Sequence, residues 1–372
     1  MKKIRKSDNQ PVQKVVLLDI NHPSNFYFFK DFMLKMIKDG QKLYVAVKQR
    51  KYLPDLLEAY GIPYILKNKR ASTLTGKLWI LVKEVIQLYL LARKIRPAVL
   101  LSFASPYAAI TGWLVGKPVI TFDDTEHNTL QHFIFPRFSS LIITPQCFKK
   151  SFGKKHLRFE GSKESVYLYK PARELPDNSL KRDRLPPEGF FILVRFASYQ
   201  AVHEMDQKSL SRDNKKEIVN HLNRFGQVLI SSEGELPKNL KQYELKTPVH
   251  QIHQVLKRAR LYFGDSTTMA AEAALLGTPA ILIEDKGRGY IDELQNKHNL
   301  IRNFYTHQIK NALQVAENWF QNPEIEAESR AGKIIENTTD INSLLEWLAE
   351  KPRERVKRLK KHPEIMCLFR RC

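Results

Sequence analysis

The sequence has few cysteines, no long apolar run and too few acidic residues to balance its basic ones. Its three cysteines, Cys147, Cys367 and Cys372, show no spacing typical of metal ligands. So small and odd a number argues against a disulfide-stabilised fold and favours a reducing compartment. No run of about 18 apolar residues occurs, so no transmembrane helix is predicted. Because the basic N-terminus also lacks the apolar core of a signal peptide, we expect a cytoplasmic protein.

Positive charge is in excess and is dense at both ends of the chain. Lys and Arg number 61 against 39 for Asp and Glu, which gives a net charge of +22. Basic residues are frequent in residues 1–14 and 351–372. Arms of this kind are either simply solvated or bind a polyanionic surface. We expect them to attach the protein peripherally to the inner face of an anionic membrane. Nucleic acid is not the expected partner, because no aromatic-basic pattern accompanies the charge.

The composition and the hydrophobic pattern are those of a globular α/β protein. The chain has 372 residues, of which 43% are apolar and 27% charged, and this length fits two domains. Apolar runs alternate with helical patterns, which predicts parallel, doubly wound sheets. The predicted strands cover residues 14–20, 43–47, 63–66, 99–102, 118–122, 141–144, 190–194, 227–230, 261–263 and 280–283.

Turn-rich residues 144–189 separate two halves of similar architecture. We predict a disordered basic arm over 1–13, an acceptor-side Rossmann-like domain over 14–168, a nucleotide-sugar-binding Rossmann-like domain over 169–350, and a basic tail over 351–372. A long helix is predicted over 78–95, with apolar residues at helical spacing. We expect this helix to pack against the protein rather than to insert into a membrane.

The clearest motif covers residues 260–284 and predicts strand, turn, helix, turn and strand. Gly264 permits a sharp turn, Ser266 is a candidate N-cap, and Gly277 ends an Ala- and Leu-rich helix. The helix therefore begins at the carboxyl end of a strand, where open α/β sheets bind ligands. Its free N–H groups favour an anion. We expect Ser266, Thr267 and Thr268 to contact a diphosphate.

Glu272 is the one charged residue of this helix, about a turn and a half from its start. A carboxylate among Ala, Met and Leu residues is either exposed to solvent or bound to a partner. We favour a carboxylate that accepts hydrogen bonds from a ribose, because acidic groups play that part on nucleotides in other α/β folds.

The segment from Ala271 to Pro279, Ala-Glu-Ala-Ala-Leu-Leu-Gly-Thr-Pro, resembles the nucleotide-sugar-binding element of GT-B glycosyltransferases. It is similar to the UDP-N-acetylglucosamine transferase of peptidoglycan synthesis and to the non-hydrolysing UDP-N-acetylglucosamine 2-epimerases. In those families the Glu that aligns with Glu272 binds the ribose. Over most of 14–345 the chain is identified as a member of a prokaryotic family of uncharacterised GT-B-like proteins, a domain of unknown function. Further matching segments are 19–23, 122–126, 194–198 with His203, and 252–253.

This resemblance implies a GT-B-like fold, with two doubly wound domains facing a cleft, and a catalytic site without metal. His22 follows the first strand and is a candidate general base; alternatively, His22 only orders its loop. Asp19 either orients His22 or binds a substrate hydroxyl. Asp123 and Glu126 follow another strand and either bind a sugar, act as base, or form a solvated turn. A metal site in this loop is not expected, because neighbouring residues rarely all face one ion.

Other candidates for nucleotide-sugar binding lie in the second half. Arg195 ends a strand and either pairs with a diphosphate or makes a structural salt bridge. Backbone groups near Ile252 are expected beside the nucleotide base. The remaining candidates are Ser198, His203, His253 and Glu284, the last of which is expected to touch the donor sugar. Asp265 departs from the Gly-Gly pair of many GT-B proteins, and a carboxylate there would repel a phosphate unless it faces away.

We therefore expect a glycosyltransferase that moves a sugar from a UDP-sugar to a glycan or lipid-linked acceptor of the cell surface, with no cofactor. Two other functions stay open. A UDP-sugar 2-epimerase needs an acid and a base around one sugar, which the loop at Asp123 can supply. A non-catalytic protein that binds nucleotide-sugars or polyanions needs only the motif and the basic arms.

Overall fold

A computed structural model describes residues 15–49, 52–67, 74–169, 186, 190–196, 210–232, 235–322 and 327–371, with the backbone alone at 74–78 and 80. Within these residues twelve strands form two parallel sheets, of seven and five strands. The seven-stranded sheet contains β1 Val16–Ile20, β2 Leu43–Lys48, β3 Ile65–Lys67, β4 Val99–Phe103, β5 Val119–Phe122, β6 Leu141–Pro145 and β7 His156–Phe159. The five-stranded sheet contains β8 Phe191–Phe196, β9 Gln227–Ser232, β10 Leu261–Gly264, β11 Ala280–Ile283 and β12 Ile301–Phe304.

Helices connect the strands and cover the sheets. In the first half they are α1 Pro23–Lys38, α2 Leu53–Ala59, α3 Leu74–Ile95, α4 Pro106–Leu114, α5 Thr129–Phe138 and α6 Lys163–Tyr167. In the second half they are α7 Arg212–Leu222, α8 Ile252–Arg258, α9 Thr267–Leu275, α10 Gly289–Asn296, α11 Ile309–Gln321 and α12 Ala327–Glu336. The chain continues with α13 Ile341–Glu350 and α14 Pro352–Lys361. No described helix, α3 included, has the length and hydropathy that a membrane-spanning segment needs.

The strand order of each sheet reverses once, and the two reversal points define where a ligand can bind. The orders are β3-β2-β1-β4-β5-β6-β7 and β12-β11-β10-β8-β9, so the direction changes between β1 and β4 and between β8 and β10. Connections leave these neighbouring strands on opposite faces, which opens a crevice at their carboxyl ends. The predicted fold class, two doubly wound α/β units, is confirmed.

Strand residues alternate between two cores in the seven-stranded sheet. Leu18 and Leu101 pack with the buried phenylalanines of α1, such as Phe29. Leu17 belongs to a separate cluster with Leu88 of α3. The helices α3, α4 and α5 are successive neighbours, and they form the layer on the face opposite α1.

The stretch after β6 is more regular than the sequence predicted. The sequence predicts no strand between 144 and 190, but β7 pairs with β6 at the sheet edge. The strand is short and basic, and its apolar pattern is too brief to be recognised alone. The helix α6 follows at once, and all five of its residues are buried.

Within the described residues, the basic C-terminal stretch is folded. Val356 and Leu359 of α14 and Met366 of the turn after it are buried, so 351–371 is not a loose tail. The helix α13 contacts α1, which brings the end of the chain back to the seven-stranded sheet. The arm at 1–13 lies outside the described residues, and the domain limits near 168 and 350 stay predictions.

Candidate functional site

The start of α9 lies at the reversal point of the five-stranded sheet, as the motif predicted. Ser266 is the N-cap, and its hydroxyl accepts a bond from the Met269 N–H at 3.5 Å. Thr267 is buried and Thr268 is partly exposed. A Cβ on Gly264 would lie 2.3 Å from the Arg195 carbonyl oxygen, so glycine is required for the close approach of β10 to β8.

Glu272 does not face solvent, since its side chain is only 3% exposed. Its Oε1 accepts a hydrogen bond from the Tyr167 hydroxyl at 2.6 Å and lies 3.1 Å from His253 Nε2. Tyr167 belongs to α6 and His253 to α8, so the carboxylate is enclosed at the boundary between the two halves. A ribose that binds to Glu272 must therefore share or replace these two partners.

Aromatic rings from both halves surround this carboxylate. The Tyr27 ring of α1 lies 4.7 Å from the His253 ring and 5.5 Å from the Tyr167 ring. Burial and the nearby Glu272 carboxylate raise the pKa of Tyr167 and of Tyr27 well above the usual value. Both phenols therefore stay neutral, and the Tyr167 hydroxyl remains a hydrogen-bond donor at every physiological pH.

Positive side chains lie near the start of α9. Arg195, the penultimate residue of β8, lies beside Gly264, and its Nη1 donates to Ser231 Oγ at 2.9 Å. Lys215 of α7 is buried; burial lowers its pKa, and the Asp265 carboxylate acts in the opposite direction. Asp265 thus has a cation near it, which reduces the repulsion that the sequence predicted between this residue and a phosphate.

Other predicted donor-side residues have the following positions. Ile252 begins α8 next to His253 and is partly buried. Glu284 follows β11, and its Oε2 accepts a bond from the Gly287 N–H at 2.7 Å. Ser198 and His203 lie outside the described residues, so their predicted roles stay predictions.

The reversal point of the seven-stranded sheet contains a buried ion-pair network. Asp19 pairs with Lys67 and accepts bonds from Ser105 and Asn21. Lys67 also lies 3.4 Å from Glu84. This set of donors gives Asp19 a structural role that the sequence did not reveal, because Lys67 is 48 residues away in the chain.

His22 is the N-cap of α1. Its Nδ1 accepts from the Ser24 N–H at 3.2 Å and lies 2.7 Å from Ser24 Oγ. The alternative in which His22 orders its loop therefore has a structural basis. The predicted role as a base at this sheet edge stays a prediction.

The loop after β5 sends its titratable side chains in different directions. Asp123 is buried, with Oδ2 2.6 Å from His132 Nε2; burial raises its pKa against the effect of His132. Glu126 Oε1 accepts from the N–H groups of Gly289 and Lys149 at 3.2 and 3.3 Å. His127 Nε2 lies 2.6 Å from the Gly287 carbonyl oxygen. The loop is therefore a buried bridge between the halves rather than a solvated turn.

Asp124 of the same loop begins a buried cluster that also joins the two halves. Its Oδ2 lies 2.6 Å from Lys163 Nζ, which is 3.5 Å from Glu164 Oε1. Arg288, at the N-cap of α10, donates to Thr125 Oγ1 at 3.1 Å. Neither oxygen of Glu164 accepts a hydrogen bond from the described residues.

The charges of this cluster are unequally distributed. Burial opposes the charge on Asp124, but the close Lys163 ammonium holds the pKa of Asp124 below its usual value. Burial likewise opposes the charge on Lys163, yet Asp124 and Glu164 raise its pKa. Burial raises the pKa of Glu164 to about 7, although Lys163 acts to lower it. Lys163 therefore pairs with Asp124, and Glu164 can hold or release a proton near neutral pH.

Sequence reasoning missed the residues that complete these two clusters. They are Lys163, Glu164, Tyr167, Lys215 and Arg288. A local signal existed for α6, because Ser162 caps it and Gly161, at φ +100°, makes the preceding turn. A Cβ on Gly161 would lie 2.5 Å from Ser165 Oγ.

No group of three metal-ligating side chains occurs among the residues described.

The two reversal points, the enclosed Glu272 and the polar clusters between the sheets define a GT-B-like protein of two doubly wound units. The chain belongs to the family described as "protein of unknown function (DUF354)", which matches residues 14–343. This confirms the family relation predicted from the sequence. No curated protein matches the chain.

Several solved structures are similar to this chain in fold. The MnaA–UDP co-structure from S. aureus has a TM-score of 0.64 at 12% identity, over 86% of this chain and 91% of that one. UDP-GlcNAc 2-epimerase from Neisseria meningitidis, bound to UDP-GlcNAc, has a TM-score of 0.61 at 12% identity, over 92% and 98%. Spinosyn rhamnosyltransferase SpnG, complexed with thymidine diphosphate, has a TM-score of 0.58 at 13% identity, over 90% and 100%. At such identity the likeness shows the fold.

Proposed function

We propose that this protein is a UDP-sugar-dependent glycosyltransferase that transfers a sugar to a glycan or lipid-linked acceptor at the cytoplasmic side of a membrane. The observation that carries the proposal is the position of Glu272. It lies in the second turn of a helix that starts at the sheet's reversal point, and its carboxylate faces the boundary between the halves.

We propose the following orientation for the donor nucleotide. Its diphosphate binds the N–H groups at Ser266, Thr267 and Thr268, where the helix dipole and nearby Arg195 favour negative charge. Its ribose hydroxyls donate to Glu272, in place of or beside Tyr167 and His253. The nucleotide base lies along the start of α8 at Ile252, and the sugar is directed toward Glu284 and the opposite sheet.

Chemistry then takes place at the cluster between the halves. Transfer leaves a diphosphate, whose developing charge needs fixed positive groups, and Arg288 and Lys163 are cations at this boundary. An acceptor hydroxyl needs a base. Glu164, with a pKa of about 7, suits that role, and His22 is the other candidate at the sheet edge.

Calorimetry with UDP tests the donor site. We expect Glu272→Ala to weaken UDP binding about 10- to 100-fold, because hydrogen bonds to a charged group contribute about 1.5–3 kcal/mol each. Glu328→Ala is the matched control. The Glu328 carboxylate is 70% exposed, and its ion-pair partner, Lys257, lies 3.8 Å away. Equal UDP affinity in wild type and Glu272→Ala would remove Glu272 from the site and the proposal with it.

A UDP-sugar 2-epimerase is the second candidate, favoured by two buried carboxyl groups with raised pKa values. One is Asp123, which pairs with His132 and precedes Asp124 in the chain. The other is Glu164, which lies 3.5 Å from Lys163, the ion-pair partner of Asp124. An epimerase needs such an acid and base around one sugar. Incubation with UDP-N-acetylglucosamine alone distinguishes the candidates: an epimer or free UDP formed without an acceptor favours the epimerase.

A further inference from the structure

The helix α3 exposes its large apolar side chains instead of burying them. Trp79, Val82, Ile86 and Leu90 are spaced by three, four and four residues, so they form one stripe along the helix. Trp79 is 61% and Leu90 62% exposed. The opposite side of the helix buries Leu88 against the sheet. The stripe is therefore an outward face, on a helix whose other side packs against the sheet as predicted for 78–95.

The neighbouring helices extend this stripe into a surface. Trp113 of α4 and Phe133 of α5 are more than 60% exposed. Since α4 contacts both α3 and α5, the three helices form one layer, and Trp113 touches Phe138 at a ring distance of 5.4 Å. We call this surface, formed by the outward side chains of α3, α4 and α5, the apolar face.

The exposed charge of the segment that forms the apolar face, residues 59–159, has one sign. Between Glu58 and Glu160 the only acidic residues are Glu84, Asp123, Asp124 and Glu126, and all four are buried. No carboxylate from residues 59–159 is therefore exposed there. Basic side chains occur throughout the segment, among them Lys83, Arg93, Lys94, Lys117, Arg137 and Lys154.

The C-terminal basic helix lies beside the same layer. Arg353 of α14 donates to the Gly116 carbonyl oxygen at 2.5 Å, in the turn that follows α4. The basic segment whose function was open in the sequence thus adds its charge next to the apolar face.

We propose that the apolar face binds the surface of an anionic lipid bilayer, with Trp79, Ile86, Leu90 and Phe133 entering the headgroup region and the surrounding Lys and Arg side chains contacting lipid phosphates. Exposed aromatic and aliphatic side chains beside Lys and Arg are the arrangement that interfacial helices use, and each basic residue near such a surface adds to the attraction. The proposal does not depend on the catalytic function proposed above.

The charge and apolar character of this face favour a bilayer over two other partners, a second copy of the chain and a nucleic acid. A second copy of the chain would bring an equally basic surface against this one, with no exposed carboxylate from residues 59–159 to pair with it. A nucleic acid would satisfy the basic residues but would leave the apolar stripe of α3 without a matching surface. An anionic bilayer supplies both negative charge for the basic residues and an apolar region for the exposed apolar side chains.

Vesicle co-sedimentation of the full chain tests the proposal. We expect binding to vesicles of phosphatidylcholine with phosphatidylglycerol, little binding to phosphatidylcholine alone, and weaker binding at high salt. The double variant Trp79→Ser with Leu90→Ser should lower vesicle binding roughly tenfold. The double variant Lys83→Glu with Arg93→Glu should lower it by a similar factor. All four side chains are exposed, so thermal unfolding should change little.

Matched controls lie on the five-stranded half. Lys238→Glu with Lys241→Glu makes the same change in net charge at exposed positions, and Phe190→Ser with Tyr305→Ser removes exposed aromatic rings; both pairs should bind vesicles like wild type. Failure of the wild type to bind anionic vesicles overturns the proposal. The proposal is also overturned if both test variants bind vesicles like wild type, because attachment would then be assigned to the basic N-terminus. It is overturned as well if the wild type is a dimer that Trp79→Ser with Leu90→Ser dissociates.

Discussion

Glu272 and Glu164 are both buried carboxyl groups on helices at the boundary between the two halves, but their surroundings differ. Glu272 is held by a phenol and an imidazole, each within 3.1 Å of one oxygen. Glu164 accepts no hydrogen bond from the described residues, and a single ammonium lies 3.5 Å from it. Glu272 is oriented by two partners, whereas burial raises the pKa of Glu164 to about 7.

This difference separates a binding group from a reacting group. Two donors orient the Glu272 carboxylate, which suits recognition of neighbouring hydroxyl groups. A buried carboxyl group without donors is destabilised when ionised, and its pKa rises into the range that general acid–base catalysis uses. The two carboxyl groups should therefore respond to substitution in opposite ways.

The largest effect is expected from Glu164→Gln on turnover. Removing a general base lowers kcat about 10²- to 10⁴-fold, and UDP affinity should be unchanged because the nucleotide contacts lie at α9. The measurement is UDP release from UDP-sugar, beside calorimetry. Glu160→Gln is the matched control. The Glu160 side chain is 43% exposed, and its ion-pair partner, Arg370, lies 3.7 Å away. Full turnover in Glu164→Gln would show that Glu164 does not act as the base.

The pH dependence of stability should show a smaller effect of the same residue. Its pKa is raised from 4.5 to about 7 in the folded protein, so the folded state retains a proton that the unfolded state has lost. Stability should therefore fall as pH rises through this window, by about 3 kcal/mol at most for this group.

Denaturant midpoints at pH 5 and pH 8 measure this effect. Glu164→Gln cannot ionise, so it should lose less stability than wild type between the two pH values, and at pH 8 it should be the more stable protein. Parallel loss in wild type and variant would contradict the raised pKa. A variant that is more stable but less active is the combination expected where a site stores an unfavourable charge.

The sequence predicted the central motif well because its signals are local. The helix predicted between Ser266 and Gly277 is observed as α9 Thr267–Leu275, and Gly277 follows with a positive φ of 87°. Small residues, a Ser cap and a glycine stop specify such an element without help from the rest of the chain.

The environment of the clusters could not be predicted, because it depends on contacts across the chain. Glu164 looked like one polar residue in a turn-rich stretch, and only the fold brings it near Asp124 and Glu272. The sequence likewise does not reveal that Asp19 pairs with Lys67. The exposed stripe of α3 has the spacing of a packed helix, since periodicity identifies the apolar side but not what covers it.

The smallest and sharpest test is Tyr167→Phe, because it asks whether the donors on Glu272 compete with a ribose. If ribose hydroxyls replace the Tyr167 hydroxyl, its bond to Glu272 stabilises only the unliganded protein. Removing that bond should cost about 1 kcal/mol of stability without UDP, and the same energy should tighten UDP binding up to about fivefold. Calorimetry and denaturant unfolding measure both quantities.

Tyr27→Phe is the matched control, because the Tyr27 hydroxyl donates to the Val249 carbonyl oxygen at 3.4 Å rather than to Glu272. Its UDP affinity should equal that of wild type. Weaker UDP binding in Tyr167→Phe would reverse the interpretation: the phenol would then orient Glu272 for the ribose instead of competing with it. Glu272 would in that case bind its ligand as part of a preformed trio, since Tyr167 and His253 would keep their bonds in the complex.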